Sequence, residues 1–321
     1  MPRIPGQMAS AGIGLHRKAG ARLLARRAVR RYELYLFLVP SVAYFAIFHY
    51  APIYGLQLAF KDFLASRGIW GSPWVGPQHF KTFFSSYYFG SVVRNTVVLS
   101  LYQLVASFPF PILLALLLNE IRSLRFKRVV QTVTYAPHFI STVVMVGIVF
   151  LFLDPGYGVV NSMLRALGME SVDFVNKAAY FKSLYVWSGV WQQTGWASVV
   201  YFAVLASMDV EQHEAAIVDG ATKLQRMWYI NVPSLMPTAI ILLILNSGYV
   251  MNIGFEKVYL MQNGLNIESS QVISTYVYRV GLLNARYSFS TAVGLFNSLI
   301  NCATLLAVNK LAKRLSSMSL W

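Results

Sequence analysis

Residues 214–233 read EAAIVDGATKLQRMWYINVP. The stretch is short, polar and rich in helix-favouring residues, yet it lies between two long apolar runs. Asp209 followed three residues later by Gln212 has capping-box spacing, which predicts a helix beginning near Val210. Glu211 and Glu214 then share one exposed face, while Ala215 and Val218 turn the other way. Gly220 supplies the left-handed position that ends such a helix. A second helix is expected from about Ala221 through Trp228, with Pro233 marking the entry to the next apolar run. Two short helices set at an angle make a knob suited to a partner's cleft. The alternative is an amphipathic loop resting on lipid, and the acidic first helix argues against it.

Outward from this stretch, the composition sets the solvent. Of 321 residues, 56% are hydrophobic and 12% charged, with a mean hydropathy of +0.52. Soluble domains carry about 25% charged residues, so the chain is read as an integral membrane protein. The net charge of +15 does not imply nucleic acid, because the bases flank apolar runs, where they orient the chain and meet anionic headgroups. Cys302 is the only cysteine, which excludes an intrachain disulfide and a cysteine-ligated metal.

Six apolar runs occupy residues 34–60, 92–118, 132–153, 183–206, 235–253 and 288–309. A span needs about 20 residues to cross roughly 30 Å of hydrocarbon, and all six meet or approach that length. Pro40, Pro52, Pro109, Pro111 and Pro137 predict kinks. Before the first run, residues 1–31 hold eight Lys or Arg and no acid. The run that follows is too long for a signal peptide, so it is retained as a span. Leu15, Ala19 and Leu23 would suit an interfacial amphipathic helix there. With the N-terminus in the cytoplasm, the cytoplasmic segments hold 17 of the 27 Lys and Arg but only half of the 12 acids. The expected fold is therefore an all-α integral membrane protein of six transmembrane helices with both termini cytoplasmic. A basic segment (1–33) precedes a six-span domain (34–309) carrying a cytoplasmic loop (209–233), and a tail (310–321) follows. Residues 61–91 are outside and aromatic-rich, read as an interfacial belt or a partner surface. Residues 254–287 are outside too, with strand-like alternation around Val272–Val277.

No phosphate-cradling GxxxxGK[ST] loop, HExxH or GxSxG motif is present, and no enzyme chemistry is expected. His49 and His138 read as packing histidines. The spans also lack interior carboxylates, which ion-coupled carriers use at mid-membrane, so energy is expected to arrive from elsewhere; a stand-alone channel or carrier is the alternative of a different class. What the spans do hold is neutral and polar or aromatic: Tyr102, Gln103, Trp191, Gln192, Gln193, Trp196, Asn246, Tyr249, Asn252, Asn297 and Asn301. Asn246, Tyr249 and Asn252 are three apart and share a side. Amides and aromatic faces suit a sugar, with its hydroxyl rim and C–H faces. For each residue singly, interhelical bonding is the competing role; together they are read as a polar cavity.

These residues carry a resemblance. Glu214-Ala215-Ala216, Asp219-Gly220-Ala221, Ile230 and Pro233 resemble the EAA loop of permease subunits of binding-protein-dependent ABC importers. The chain is similar to the carbohydrate-importing class over nearly its whole length. Its oligosaccharide and polysaccharide branch is matched by Tyr54-Gly55-Leu56-Gln57, Ala59-Phe60-Lys61-Asp62-Phe63, Gly254-Phe255-Glu256, Tyr276-Val277-Tyr278-Arg279 and Ser319-Leu320-Trp321. Val210 stands where a Pro is usual and Met227 where a Phe is usual, which affects packing of the knob. The resemblance implies a type I permease fold in the bacterial cytoplasmic membrane. It implies a second homologous permease, a solute-binding protein outside, and two ATPase subunits that hold ATP and Mg; this chain itself needs no cofactor. Glu214, Ala215, Ala216, Asp219, Gly220 and Ala221 would dock an ATPase, with Glu214 pairing a base and Gly220 permitting the turn. The implied substrate is an oligosaccharide or polysaccharide, acidic and alginate-like for preference, since ten outer bases face six outer acids; a neutral oligosaccharide is the alternative.

Overall fold

The computed structural model describes residues 32–316. The basic segment, with its expected interfacial helix, and the Ser319-Leu320-Trp321 motif lie outside the described residues. Among the described residues the chain is helical without strands, and β contact is limited to an isolated bridge between Lys61 and Trp74.

Two units divide at Gln57 and Leu58. In the first, helix α1 (Tyr32–Phe45) passes through a π turn (Ala46–Tyr50) into 3-10 winding (Ala51–Phe60), the last three residues of which belong to the second unit. Pro40 sits inside α1 without ending it. Pro52 has no N–H to donate, and the winding changes around it rather than stopping.

The second unit contains α2 (Phe89–Ser107) and α3 (Pro109–Glu120), joined at Phe108 with helical backbone so that Pro109 enters at a first-turn position. Then come α4 (Leu124–Tyr135), α5 (Thr142–Leu153) and the 29-residue α6 (Ala178–Ala206). The knob helices are α7 (Val210–Val218) and α8 (Lys223–Arg226), followed by α9 (Val232–Ser247). Last are α10 (Phe255–Met261), α11 (Ile273–Val277) and α12 (Tyr287–Ser316).

Four helical segments are long and apolar enough to cross a bilayer: Tyr35–Phe60, Phe89–Glu120, Lys223–Ser247 and Tyr287–Arg314. A fifth is the pair Leu124–Phe139 and Thr142–Leu153, counted as one broken span with a 105° bend. The run at 132–153, in which Pro137 predicted a kink, is thus folded sharply at its middle. Pro137 opens a 3-10 turn (Ala136–Phe139), and the extended Ser141 caps a new helix by accepting from the Val144 N–H at 3.4 Å. The sixth run is α6, long enough at about 1.5 Å per residue but made less apolar by Lys182, Gln192 and Gln193.

The expected alternation around Val272–Val277 is helical instead. Ile273 and Tyr276, three apart, are buried against Phe83, and the Ile273 N–H donates to the Thr96 hydroxyl at 2.9 Å. Residues 61–91 do not form one aromatic surface. Phe83 is fully buried among Phe89, Phe289 and Phe296, whereas Trp70, Trp74 and Tyr87 remain exposed. Two further cores flank the centre. Leu99, Met145, Val186 and Val258 tie α2, α5, α6 and α10, and Leu116, Tyr201 and Leu235 tie α3, α6 and α9.

Candidate functional site

A cavity of about 470 Å³ opens between α2, α3, α6 and the chain around the end of α9. This size suits a small ligand or one or two units of a longer one. Five of the sequence-predicted pathway residues line it: Gln103, Gln193, Asn246, Tyr249 and Asn252. Helix α9 ends at Ser247, so the last three do not share a helix face as their spacing suggested. They meet because the turn after α9 is pinned to α12. The Asn301 Oδ1 atom accepts from the Met251 N–H at 2.8 Å, and Asn297 and Asn301 both donate to the Asn252 Oδ1 atom, at 2.9 and 3.1 Å.

The other predicted pathway residues stand elsewhere. Gln192 is buried and its Nε2 atom donates to the Ile140 carbonyl at 2.9 Å, beside the bend before α5. Trp191 and Trp196 are about half exposed outside the cavity lining; Trp196 stacks on His138 with centroids 4.8 Å apart. His138 also bonds the Gln193 Oε1 atom through Nδ1 at 2.8 Å, so it packs and orients. Asn297 serves α12's grip on Asn252, and the Trp187 indole donates to the Tyr102 hydroxyl at 2.9 Å.

Ser100 and Thr194 also line the cavity and were not anticipated. Each hydroxyl donates to its own helix, to Thr96 and Val190 carbonyls at 2.6 Å, which leaves oxygen lone pairs as acceptors. Ser100 lies one turn before Gln103, and that spacing was the available signal. The lining carries no charged side chain. Donors from Gln and Asn, acceptors from hydroxyls and the faces of Tyr185, Tyr201 and Tyr249 match a polyhydroxylated solute.

Behind the Tyr185 wall stands Lys257 of α10. Its ammonium donates to the Tyr185 carbonyl at 2.7 Å and lies 4.6 Å from the centroid of the Tyr185 ring. Burial pushes its pKa down to about 7. Sequence reading missed this residue, because it lies beyond the apolar runs and its burial depends on tertiary packing.

The knob has the predicted parts in a different assembly. Asp209 caps α7, but through the Glu211 N–H at 3.0 Å; the reciprocal capping box is at Thr222 and Gln225. Gly220 has φ +81°, and the Ala221 N–H closes on the Ala216 carbonyl at 2.8 Å. The second knob helix is not separate. From Lys223 it runs through a π turn (Met227–Asn231) into α9, and Pro233 falls in the first turn of α9, where no N–H is needed. Met227 packs beside Leu235 and Leu205, filling the place expected for an aromatic ring. Glu211 and Glu214 are exposed as expected, and Asp219 is exposed as well. Ala215 and Val218 are exposed too, contrary to expectation, with Val218 at 86%: nothing among the described residues covers α7's apolar side. A small hollow lined by Ala216, Asp219, Gly220, Ala221 and Tyr229 opens at the turn.

Comparison with known proteins agrees with this arrangement. The family model described as "Binding-protein-dependent transport system inner membrane component" matches residues 107–317. The polygalacturonan/rhamnogalacturonan transport system permease protein YteP of Bacillus subtilis is 40% identical over 91% of this chain and 91% of its own. A crystal structure of a bacterial ABC transporter involved in the import of the acidic polysaccharide alginate matches with TM-score 0.84 at 40% identity, covering 91% of this chain and 99% of that one. A second crystal structure, of a bacterial alginate ABC transporter with an alginate pentasaccharide-bound periplasmic protein, matches with TM-score 0.84 at 38% identity over 92% and 99%. The fold is that of a type I ABC importer permease, a multi-pass inner-membrane subunit. This chain belongs to the family of binding-protein-dependent transport system inner membrane components.

Proposed function

We propose that this chain moves an acidic oligosaccharide or polysaccharide across the bacterial cytoplasmic membrane as one permease subunit of an ABC importer. The carrying observation is the uncharged, hydroxyl- and amide-lined cavity whose wall residue Asn246 belongs to the same continuous helix as the knob. The relatives named above handle polygalacturonan/rhamnogalacturonan or the acidic polysaccharide alginate, which favours an acidic sugar over a neutral one.

On this reading a solute-binding protein delivers the sugar from outside, and a homologous permease completes the pathway. Two ATPase subunits, holding ATP and Mg, bind below. The exposed Glu214, Asp219 and Val218 and the hollow at Gly220 are the docking surface for one of them. The chain crosses six times with both ends in the cytoplasm, α6 and the bent pair each counting once. Membership of the family removes the stand-alone channel or ion-coupled carrier. The test is reconstitution of the full complex with its binding protein. ATPase stimulation should follow uronic-acid oligosaccharides; stimulation by neutral oligosaccharides alone would overturn the acidic assignment.

A further inference from the structure

The cavity lining is neutral, yet a lysine amine that can carry a positive charge stands directly behind it. Lys257 reaches from α10 to α6, where its Nζ atom bonds the Tyr185 carbonyl at 2.7 Å and lies over the Tyr185 ring. Residue 189, on the stretch of α6 it passes, is a glycine. A Cβ on Gly189 would sit 3.1 Å from Nζ and 3.3 Å from the Gln103 Oε1 atom, so ammonium and amide flank the same bare stretch of helix. Tyr185 and Gln103 both line the cavity. The ammonium is therefore separated from the cavity by one aromatic ring and one side-chain amide.

Its electrostatic setting is unusual for a buried cation. Buried ammonium groups are normally paired with a carboxylate, and among the described residues no acid lies within ion-pair distance of Lys257. The charge is held by one carbonyl and one π face, and desolvation is the single cause of its lowered pKa. Lys182, three residues before Tyr185 on α6, lies within electrostatic reach of Arg94 on α2. That adds two more bases on elements that border the cavity.

We propose that Lys257 is a specificity-determining residue that takes a carboxylate of the sugar, its ammonium turning from the Tyr185 carbonyl towards Gln103 as the uronate enters. This rests on reading the cavity as the path of an acidic sugar. An anion arriving there gives the ammonium the partner it lacks, and a neutral sugar gives it nothing. The polar lining would then grip hydroxyls common to many sugars, while Lys257 would distinguish the charged ones.

The test uses the full importer, reconstituted with its partner subunits and binding protein. ATPase stimulation is measured with alginate- and polygalacturonate-derived oligosaccharides and with the same oligosaccharides after carboxyl reduction to neutral sugars. Lys257→Met should raise the half-stimulating concentration of the uronates by about tenfold or more, as expected for loss of a charge-assisted bond. It should change that of the reduced sugars by no more than about twofold. Lys257→Arg should recover most of the uronate response. If the methionine variant does not assemble, Lys257→Gln, which keeps a donor for the Tyr185 carbonyl, reads the same contrast. Equal losses for both sugar sets, or no loss for uronates, would overturn the proposal while leaving the acidic-sugar reading in place. A wild-type complex that answers only to the reduced sugars would overturn both.

Discussion

The Gln192 side chain donates to the Ile140 carbonyl at 2.9 Å, so a residue with the chemistry of a sugar ligand is a brace for the bend between α4 and α5. Its neighbour Gln193 points into the cavity. Adjacent residues on a helix are about 100° apart, and here that angle separates a structural amide from a pathway amide. Gln192→Leu leaves a part-buried carbonyl unpaired, at a cost of about 1 kcal/mol. The purified complex should melt earlier with its half-stimulating sugar concentration little changed. Gln193→Leu should do the reverse, weakening the sugar response with a smaller effect on melting.

Gly220 holds φ +81°, and its N–H donates to the Ile217 carbonyl at 3.0 Å. Alanine at such a position costs about 1–2 kcal/mol. Proline cannot adopt the angle and removes the donor as well. Gly220→Pro and Glu214→Arg should leave the subunit inserted but uncouple ATP hydrolysis from uptake, read by comparing hydrolysis with sugar accumulation in proteoliposomes. Normal uptake in both variants would count against ATPase docking at this loop.

Lys257 titrates near 7 in the folded chain against an ordinary value of 10.5. Between those values the unfolded chain binds more protons, so stability rises with pH across that window. Below it both states are protonated and the full burial penalty applies. The melting temperature of the wild type minus that of Lys257→Met should therefore increase from pH 7 towards pH 10. Other titrations cancel in the difference, and a flat difference would show that the ammonium is not desolvated.

The proposed orientation places Val218 and Tyr87 on opposite sides of the membrane; they are 86% and 92% exposed. In a Cys302→Ser background expressed without the ATPase subunits, Val218→Cys should react with a membrane-impermeant maleimide only in inverted vesicles. Tyr87→Cys should react only in right-side-out vesicles. The opposite pattern would invert the topology.

Much of this was legible before any coordinates, for reasons that differ by residue. Apolar run length is a local property, and so is the need for glycine at a left-handed turn; the long helices and Gly220 followed from these. Pro137 announced a kink, but its 105° depth required knowing that Ser141 caps a new helix and that Gln192 crosses from α6 to hold it. Asn246, Tyr249 and Asn252 were grouped correctly on a helical spacing that does not exist, because Asn301 pins the turn that gathers them. Lys257 was out of reach altogether. It is buried against Tyr185 and beside the bare Gly189, 68 positions earlier, a contact that no local pattern reports.

The unbroken helix from Lys223 to Ser247 has a mechanical consequence. Its 25 residues make a rod about 37 Å long at 1.5 Å per residue, with the Thr222 cap at one end and Asn246 at the other. A tilt of about 10° at the capped end sweeps Asn246 through about 6 Å at that length, roughly the width of a sugar ring. The stroke that opens or shuts the cavity can therefore be a small change of angle, delivered along one continuous helix.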